Sequence, residues 1–280
     1  MAATRLGALV AIATVLIATG LFSTATVSAQ DFHVDTTVEA VTRRETQEMS
    51  RSVTLFHAGK TYDFIQDLAE LVVFDPSHDR FTLLNTRQPR ATQVHVDEIN
   101  RMLQIGRQAL LDHVKTLRAS GKPDSQDMID AILFQFNPQF DESISQTNRG
   151  PLLDLRSKYF HYQVLGASPP TPAHGEAYLN YADWIIRLNY VLNPGKTLPE
   201  QRIKLDAALR RAQLIPVEVT FGDTNSVQVR ARHRIYWDLN ERDRELIRQW
   251  DGLLMRPDLK RVSFQDYQRS LLLSLASHHR

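Results

Sequence analysis

Arg230, Arg232 and Arg234 occupy alternate positions of one segment, residues 227–237. In an extended strand, side chains two residues apart share a face and lie about 6–7 Å from each other. Three guanidinium groups in that array could hold an anionic head group or carboxylates, since each offers several planar N–H donors. Val229, Ala231, His233 and Ile235 would face the other side. A solvated sheet face accounts for the same pattern, with the arginines paired to acids such as Glu218 on a neighbouring strand. These three arginines are the candidate ligand- or anion-binding group.

Histidine offers the other chemistry. His57, His78 and His95 fall in one stretch near Asp63, Asp75, Asp79 and Asp97. An antiparallel sheet could bring two of them together as a metal site or an acid–base pair. Their spacing is not that of a ligand motif, so each also reads as a half-exposed strand or turn residue. The chain has no G-x-S-x-G, H-E-x-x-H, Walker loop or dinucleotide-binding glycine turn, so no catalytic residue is assigned and no cofactor is implied. Tyr178, Tyr181 and Trp184 share a helical face and read as core. Glu241–Glu245, alternating in charge, reads as a solvated helix start.

Composition narrows the classes. With no cysteine among 280 residues, a disulfide scaffold, an iron–sulfur protein and a thiolate zinc site are excluded. Lys and Arg number 33 against 32 Asp and Glu, and that balance argues against a nucleic-acid partner. A hydrophobic fraction of 42% is that of a folded chain rather than a disordered one.

The first 29 residues read as an export signal. Arg5 precedes a run from Leu6 to Phe22 without a charge, and Val27-Ser28-Ala29 fits the small-x-small rule for cleavage after Ala29. An uncleaved anchor is the alternative, since the apolar run approaches the length that spans a bilayer. No later run is long enough, so no transmembrane span is expected after cleavage. The product is expected to be periplasmic or secreted, with acids and bases in equal number.

The elements follow from periodicity. Residues 30–51 read as a polar N-terminal lead that becomes a helix or strand near Val38–Met49. Period-2 patterning then predicts strands at 52–57, 60–65, 70–74 and 80–84, with hairpin turns at Ala58-Gly59 and Asp75-Pro76. Ile99, Met102, Leu103, Gly106, Leu110, Val114 and Leu117 predict a helix over 97–119, capped by Asp97, with Gly106 allowing close approach to the sheet. Further helices are expected at 125–134, 176–192, 199–213, 240–254 and 263–275. Weak strands are expected at 140–145, 152–156 and 159–165, and a hairpin at 217–221 and 227–237.

Three phrases in the meander carry a resemblance: Gly59-Lys60-x-Tyr62-Asp63, Val72-Val73-Phe74-Asp75-Pro76 and Arg80-Phe81-x-Leu83-Leu84. With Tyr181-Ala182-Asp183-Trp184 and Leu198-Pro199, they resemble uncharacterised exported bacterial proteins. Over residues 52–96 the pattern is similar to the sheet of periplasmic lipoprotein-carrier proteins, half-barrels closed by helices. That resemblance implies a curved sheet and a lipid-like ligand, but no functional residue of the carriers is matched here. The helices after Val96 are also longer and more numerous than a simple carrier needs.

The expected fold is therefore α+β, a single domain over 52–280: a curved antiparallel sheet, meander plus later hairpin, covered on one face by amphipathic helices. Three functions compete. The first is a non-enzymatic envelope protein binding an apolar or amphiphilic ligand, or a protein partner, in the sheet's concave face. The second is an interaction module binding anionic envelope material through the arginine stripe. The third is a secreted metal-dependent or His/Asp hydrolase.

Overall fold

The computed structural model describes residues 30–42, 44–122, 125–193, 197–222 and 228–278, with side chains to Leu271. Residues 1–29, read above as an export signal, lie outside the described residues. Among the described residues, no helix is long and apolar enough to cross a membrane.

The polar stretch after residue 30 is not a lead. It forms β1 (Phe32–Val41) and much of β2 (Thr46–His57), and β1 lies inside the sheet between β2 and a strand near the C-terminus. The reason is alternation: Phe32 and Val34 are 0% and 1% exposed, whereas His33, Asp35 and Glu39 project to the opposite side, which is polar along β1. A strand with one charged face has the composition of a loop.

The meander continues with β3 (Lys60–Ile65), β4 (Glu70–Asp75), β5 (Arg80–Asn85) and β6 (Arg90–His95). The first turn needs positive φ at both central residues, and Ala58 and Gly59 adopt φ of 50° and 75°. The Asp-Pro turn closes through one turn of 3-10 helix at Pro76–His78, with Asp79 left-handed. Strand β6, unpredicted by periodicity, leads directly into α1 (Val96–Ser120). His95, not Asp97, takes the N-cap position, and Asp97 sits in the first turn.

Next come α2 (Ser125–Phe136), β7 (Asp141–Thr147), β8 (Gly150–Arg156), β9 (His161–Ala167), α3 (Pro172–Leu192) and α4 (Glu200–Ala212). The chain closes with β10 (Ile215–Gly222), β11 (Gln228–Tyr236), α5 (Glu241–Leu254), β12 (Lys260–Arg261) and α6 (Phe264–His278). The twelve strands form one unclosed sheet in the order β12-β6-β5-β4-β3-β2-β1-β11-β10-β9-β8-β7. All pairings are antiparallel except β12 with β6. The fold is α+β, with a curved antiparallel sheet as expected.

Two cores lie on opposite faces. On the first face Phe32, Phe74, Phe81, Leu83 and Val164 pack against α1, α3, α4 and α6 through Ile99, Leu188, Leu205 and Phe264. Tyr178 and Tyr181 belong to this core, at 8% and 6% exposure. On the second face Leu55, Tyr62, Leu71, Val73 and Leu84 pack against Ile247 and Trp250 of α5. Helix α5 therefore covers the meander half of a face that the helices of the other layer leave open. Gly106 serves a helix–helix contact rather than a helix–sheet one: its backbone faces the ring of Tyr190 in α3.

Candidate functional site

The second face of the sheet is where α5 stops and the arginine stripe begins. Strand alternation places Arg230, Arg232 and Arg234 on this face, and Ala231 and Ile235 pack toward the core of the first. The register with β1 sets Glu39 opposite Arg230 and Asp35 opposite Arg234, and Glu218 of β10 faces Arg232. Arg230 Nη2 lies 2.8 Å from Glu39 Oε2, and Arg232 Nη1 lies 3.2 Å from Glu39 Oε1. Arg232 Nε is 3.5 Å from Glu218 Oε2, which also accepts from Arg149 Nη2 at 3.2 Å. A hydrogen bond with Tyr236, and the charge of Asp35, hold the Arg234 guanidinium above its ordinary pKa. The stripe is thus one half of a charge-matched lattice, whose acids come from strands distant in sequence.

That lattice lines a groove of about 620 Å³, which contains Asp35, Glu39, Glu48, Arg51, Arg149, Glu218, Arg232 and Arg234. Its lining carries four acids and four arginines, and Arg230, which pairs with Glu39, lies outside that lining. Beside it, toward α5, lies a cleft of about 1080 Å³ with Val53, Phe64, Tyr236, Leu246 and Trp250 on its walls. Asp35 and Gln66 line both spaces, so groove and cleft adjoin at one seam. The apolar wall is built by ring contacts: Trp250 is tilted against the Phe64 ring at 5.7 Å between centroids and, behind the wall, stacked on the Tyr62 ring at 6.3 Å. Aromatic rings packed in this way bury a large apolar area.

At the seam stands His33, which sequence reasoning passed over. Its Nε2 is 2.9 Å from Asp35 Oδ1 and its Nδ1 is 3.2 Å from Asp243 Oδ1. Asp243 is 3% exposed and completes a capping box with Asn240 at the start of α5. The run Glu241–Glu245, expected to be only a solvated helix start, therefore supplies a buried carboxylate that ties α5 to β1. No periodicity signals such a pair, because its members sit at opposite ends of the chain.

The three histidines singled out by the sequence are placed apart. His57 Nδ1 lies 3.1 Å from Asp31 Oδ1, and Arg244 Nη1 contacts Asp31 Oδ2 at 3.2 Å. His78 Nδ1 is 2.9 Å from Asp75 Oδ2 and 3.0 Å from Ser77 Oγ. One nitrogen meets both oxygens, so the three residues lock the Asp-Pro turn and do not form a relay through the ring. His95 faces Arg80 across the β5–β6 pair. His57 and His95 lie in β2 and β6, four interstrand spacings or about 19 Å apart. Metal–nitrogen bonds are about 2 Å long, so these two cannot share an ion. Among the described residues no group of three or more His, Asp or Glu side chains is arranged to hold a metal.

The layer between the sheet and α1, α3 and α4 is filled with side chains, among them Phe32, Phe81, Leu83, Leu188 and Leu205, all at 0% exposure. It also carries polar groups. Arg202 Nε lies 3.0 Å from Oδ1 of the fully buried Asp206, and Tyr181 Oη donates to Asp63 Oδ2 at 2.8 Å. His233 Nδ1 is 2.9 Å from Thr36 Oγ1; burial, with the nearby Arg202 charge, pushes its pKa down to about 3. Smaller cavities occur at the margins of the layer, about 370 Å³ beside Pro169, Leu179 and Leu214 and about 180 Å³ beside Phe56, Phe74 and Tyr181.

No family model and no curated protein matches this chain. Among solved structures, it is similar to an uncharacterized conserved protein from Thermus thermophilus, at 10% identity and a TM-score of 0.33, over 84% of this chain and 91% of that one. It is also similar to PNGF-II, at 6% identity and a TM-score of 0.34, over 86% of this chain and 33% of that one.

Proposed function

We propose that the protein is an exported, non-enzymatic envelope protein that binds an amphiphilic ligand across the second face of its sheet. The polar head of the ligand lies among the ion-paired side chains around Arg230, Arg232 and Arg234. The apolar part lies along Val53, Phe64, Leu246 and Trp250. The observation that carries this reading is the seam: a charge-matched groove and an aromatic cleft share Asp35 and Gln66. A groove with equal numbers of acids and arginines favours a zwitterionic or uncharged polar head over a simple anion, because an anion gains from each arginine and loses to each neighbouring carboxylate.

The test is a titration with dodecylphosphocholine below its micelle concentration, read by tryptophan emission, since Trp237 and Trp250 line the cleft. Saturable binding is expected, weakened at least tenfold by the double change Arg232→Ala with Arg234→Ala. No saturable signal, and no lipid retained through gentle purification in native mass spectrometry, would sink the reading.

A second reading rests on His33. A histidine held by a buried carboxylate and facing a more exposed one has the parts of an acid–base unit, which is the His/Asp chemistry of a hydrolase. Turnover of chromogenic ester substrates that vanishes in His33→Gln, with unchanged circular dichroism, would favour it over a pure binding role.

A further inference from the structure

The sheet has two edges of very different character. One is β12, two residues long and paired parallel to β6. The other is β7, whose seven residues pair with β8 from Asp141↔Arg156 to Thr147↔Gly150 without a register shift. A strand paired on one side only leaves a row of outward N–H and C=O groups, ready to accept another strand. Proteins commonly blunt such edges with lysine, proline, a bulge or a covering element. The sequence of β7, DESISQT, contains neither lysine nor proline. Six of its seven residues are exposed, and Ile144 at its centre is 57% exposed.

We propose that β7 is a dimerisation edge, pairing antiparallel with β7 of a second copy about a two-fold axis at Ile144. The strand is self-complementary in that register. Ile144 falls opposite Ile144, Ser143 opposite Ser145, Glu142 opposite Gln146 and Asp141 opposite Thr147, so all seven positions pair and no acid meets an acid. Apolar pairs directly opposite each other are favourable, and like charges directly opposite are not. In-register parallel pairing would set Asp141 against Asp141 and Glu142 against Glu142. Shifting the antiparallel axis from Ile144 to Glu142 would again oppose glutamates and would leave four positions unpaired. Within its own chain Glu142 is already neutralised by Arg211 Nη2 at 2.5 Å. The two-fold contact is isologous, so it closes at a dimer and does not propagate into a fibre. Each sheet meets its copy at the end remote from α5, with β11 and β1 four and five strands from the contact.

The chain contains no cysteine, so a single introduced thiol reports this register directly. Directly opposed Cβ atoms in an antiparallel pair are about 4.5–5.5 Å apart, close to what a disulfide needs after a small adjustment. Ile144→Cys is expected to oxidise to a covalent dimer, while Glu142→Cys, opposite Gln146, should remain largely monomeric under the same oxidant. In sedimentation velocity the unsubstituted protein should show a concentration-dependent dimer, and Ile144→Lys should weaken it at least tenfold with an unchanged circular dichroism spectrum. A single monomer mass up to sub-millimolar concentration overturns the proposal. So does a dimer that Ile144→Lys leaves intact, or equal cross-linking at positions 142 and 144.

Discussion

His33 Nδ1 lies 3.2 Å from Oδ1 of Asp243, and this contact joins the second residue of β1 to the first turn of α5. Asp243 also accepts the backbone N–H of Asn240 at 3.0 Å, closing the capping box. One buried carboxylate thus caps a helix and fixes that helix to the sheet face it covers. The position of α5 in turn sets where the aromatic cleft ends and the arginine groove begins.

Asp243→Ala removes the carboxylate half of the capping box and the histidine contact together, while Asn240 still caps the helix, and is expected to cost about 1–3 kcal/mol. His33→Ala leaves a buried carboxylate without its ring partner and should cost a similar amount. Because the two changes break one shared contact, the double variant should lose less than the sum of the singles. Urea midpoints measure the cycle, and amide exchange in 241–254 reports whether α5 is the element that loosens. Strict additivity would show that the contact carries no coupling.

Glu70 is 2% exposed, its Oε2 has no hydrogen-bond partner, and burial pushes its pKa up to about 7. Tyr267 of α6 faces it, with Arg90 nearby. The folded state holds this proton more tightly than the unfolded state, whose carboxyl titrates near 4.5. The contribution is therefore a stability loss that grows as pH rises from about 4.5 to about 7, reaching on the order of 3 kcal/mol. Glu70→Gln should be more stable than the parent protein at pH 8 and should lose that advantage at pH 4. Thermal midpoints at the two values decide it, and an equal shift at both would refute the assignment.

His233 acts with the opposite sign. Its folded pKa near 3 lies below the ordinary 6.5, so the unfolded state takes up a proton first as pH falls. Stability contributed by the neutral ring is complete above about 6.5 and is lost progressively toward pH 3. His233→Gln, which keeps a polar partner for Thr36, should flatten the acid limb of the stability profile by a few kcal/mol. An unaltered acid limb would mean that the ring is protonated in the folded protein.

A Cβ built on Gly106 would lie 2.6 Å from Tyr190 Oη and 2.9 Å from Cε1. Alanine is the better helix former by about 1 kcal/mol, but overpacking costs about 1–3 kcal/mol, and Tyr190 is 7% exposed with little room to move. Gly106→Ala should therefore destabilise the protein. Adding Tyr190→Phe removes the nearest atom and should recover part of the loss, which denaturant unfolding of the pair would measure.

The local elements could be read from the chain because their causes are local. Ala58-Gly59 closes a hairpin through its own dihedrals, Asp75-Pro76 through the proline ring, and α1 through apolar residues at spacings of three and four. The alternation of Arg230, Arg232 and Arg234 was legible for the same reason, and so was the pairing of Arg232 with Glu218 one strand away. Strand β1 was legible only in part, as a helix or strand from Val38 onward, since half of its residues answer to a polar face that exists only once β2 and β11 flank it. His57, His78 and His95 attracted notice by lying near acids in sequence. Neighbouring residues along a strand point to opposite faces, and neighbouring strands multiply the distance, so that proximity did not become convergence.

By itself, then, the amino-acid order determined the period of each segment, the turns, the lack of thiol chemistry and the even balance of charge. The tertiary structure alone decided which charges meet. Glu39 and Arg230 pair across 191 positions of sequence, and His33 reaches Asp243 across the whole domain. Long-range strand pairing sets those partners, and a one-residue slip in register would send every one of these side chains to the opposite face. The same pairing turned three arginines that looked like an anion trap into half of a charge-paired lattice beside an aromatic cleft.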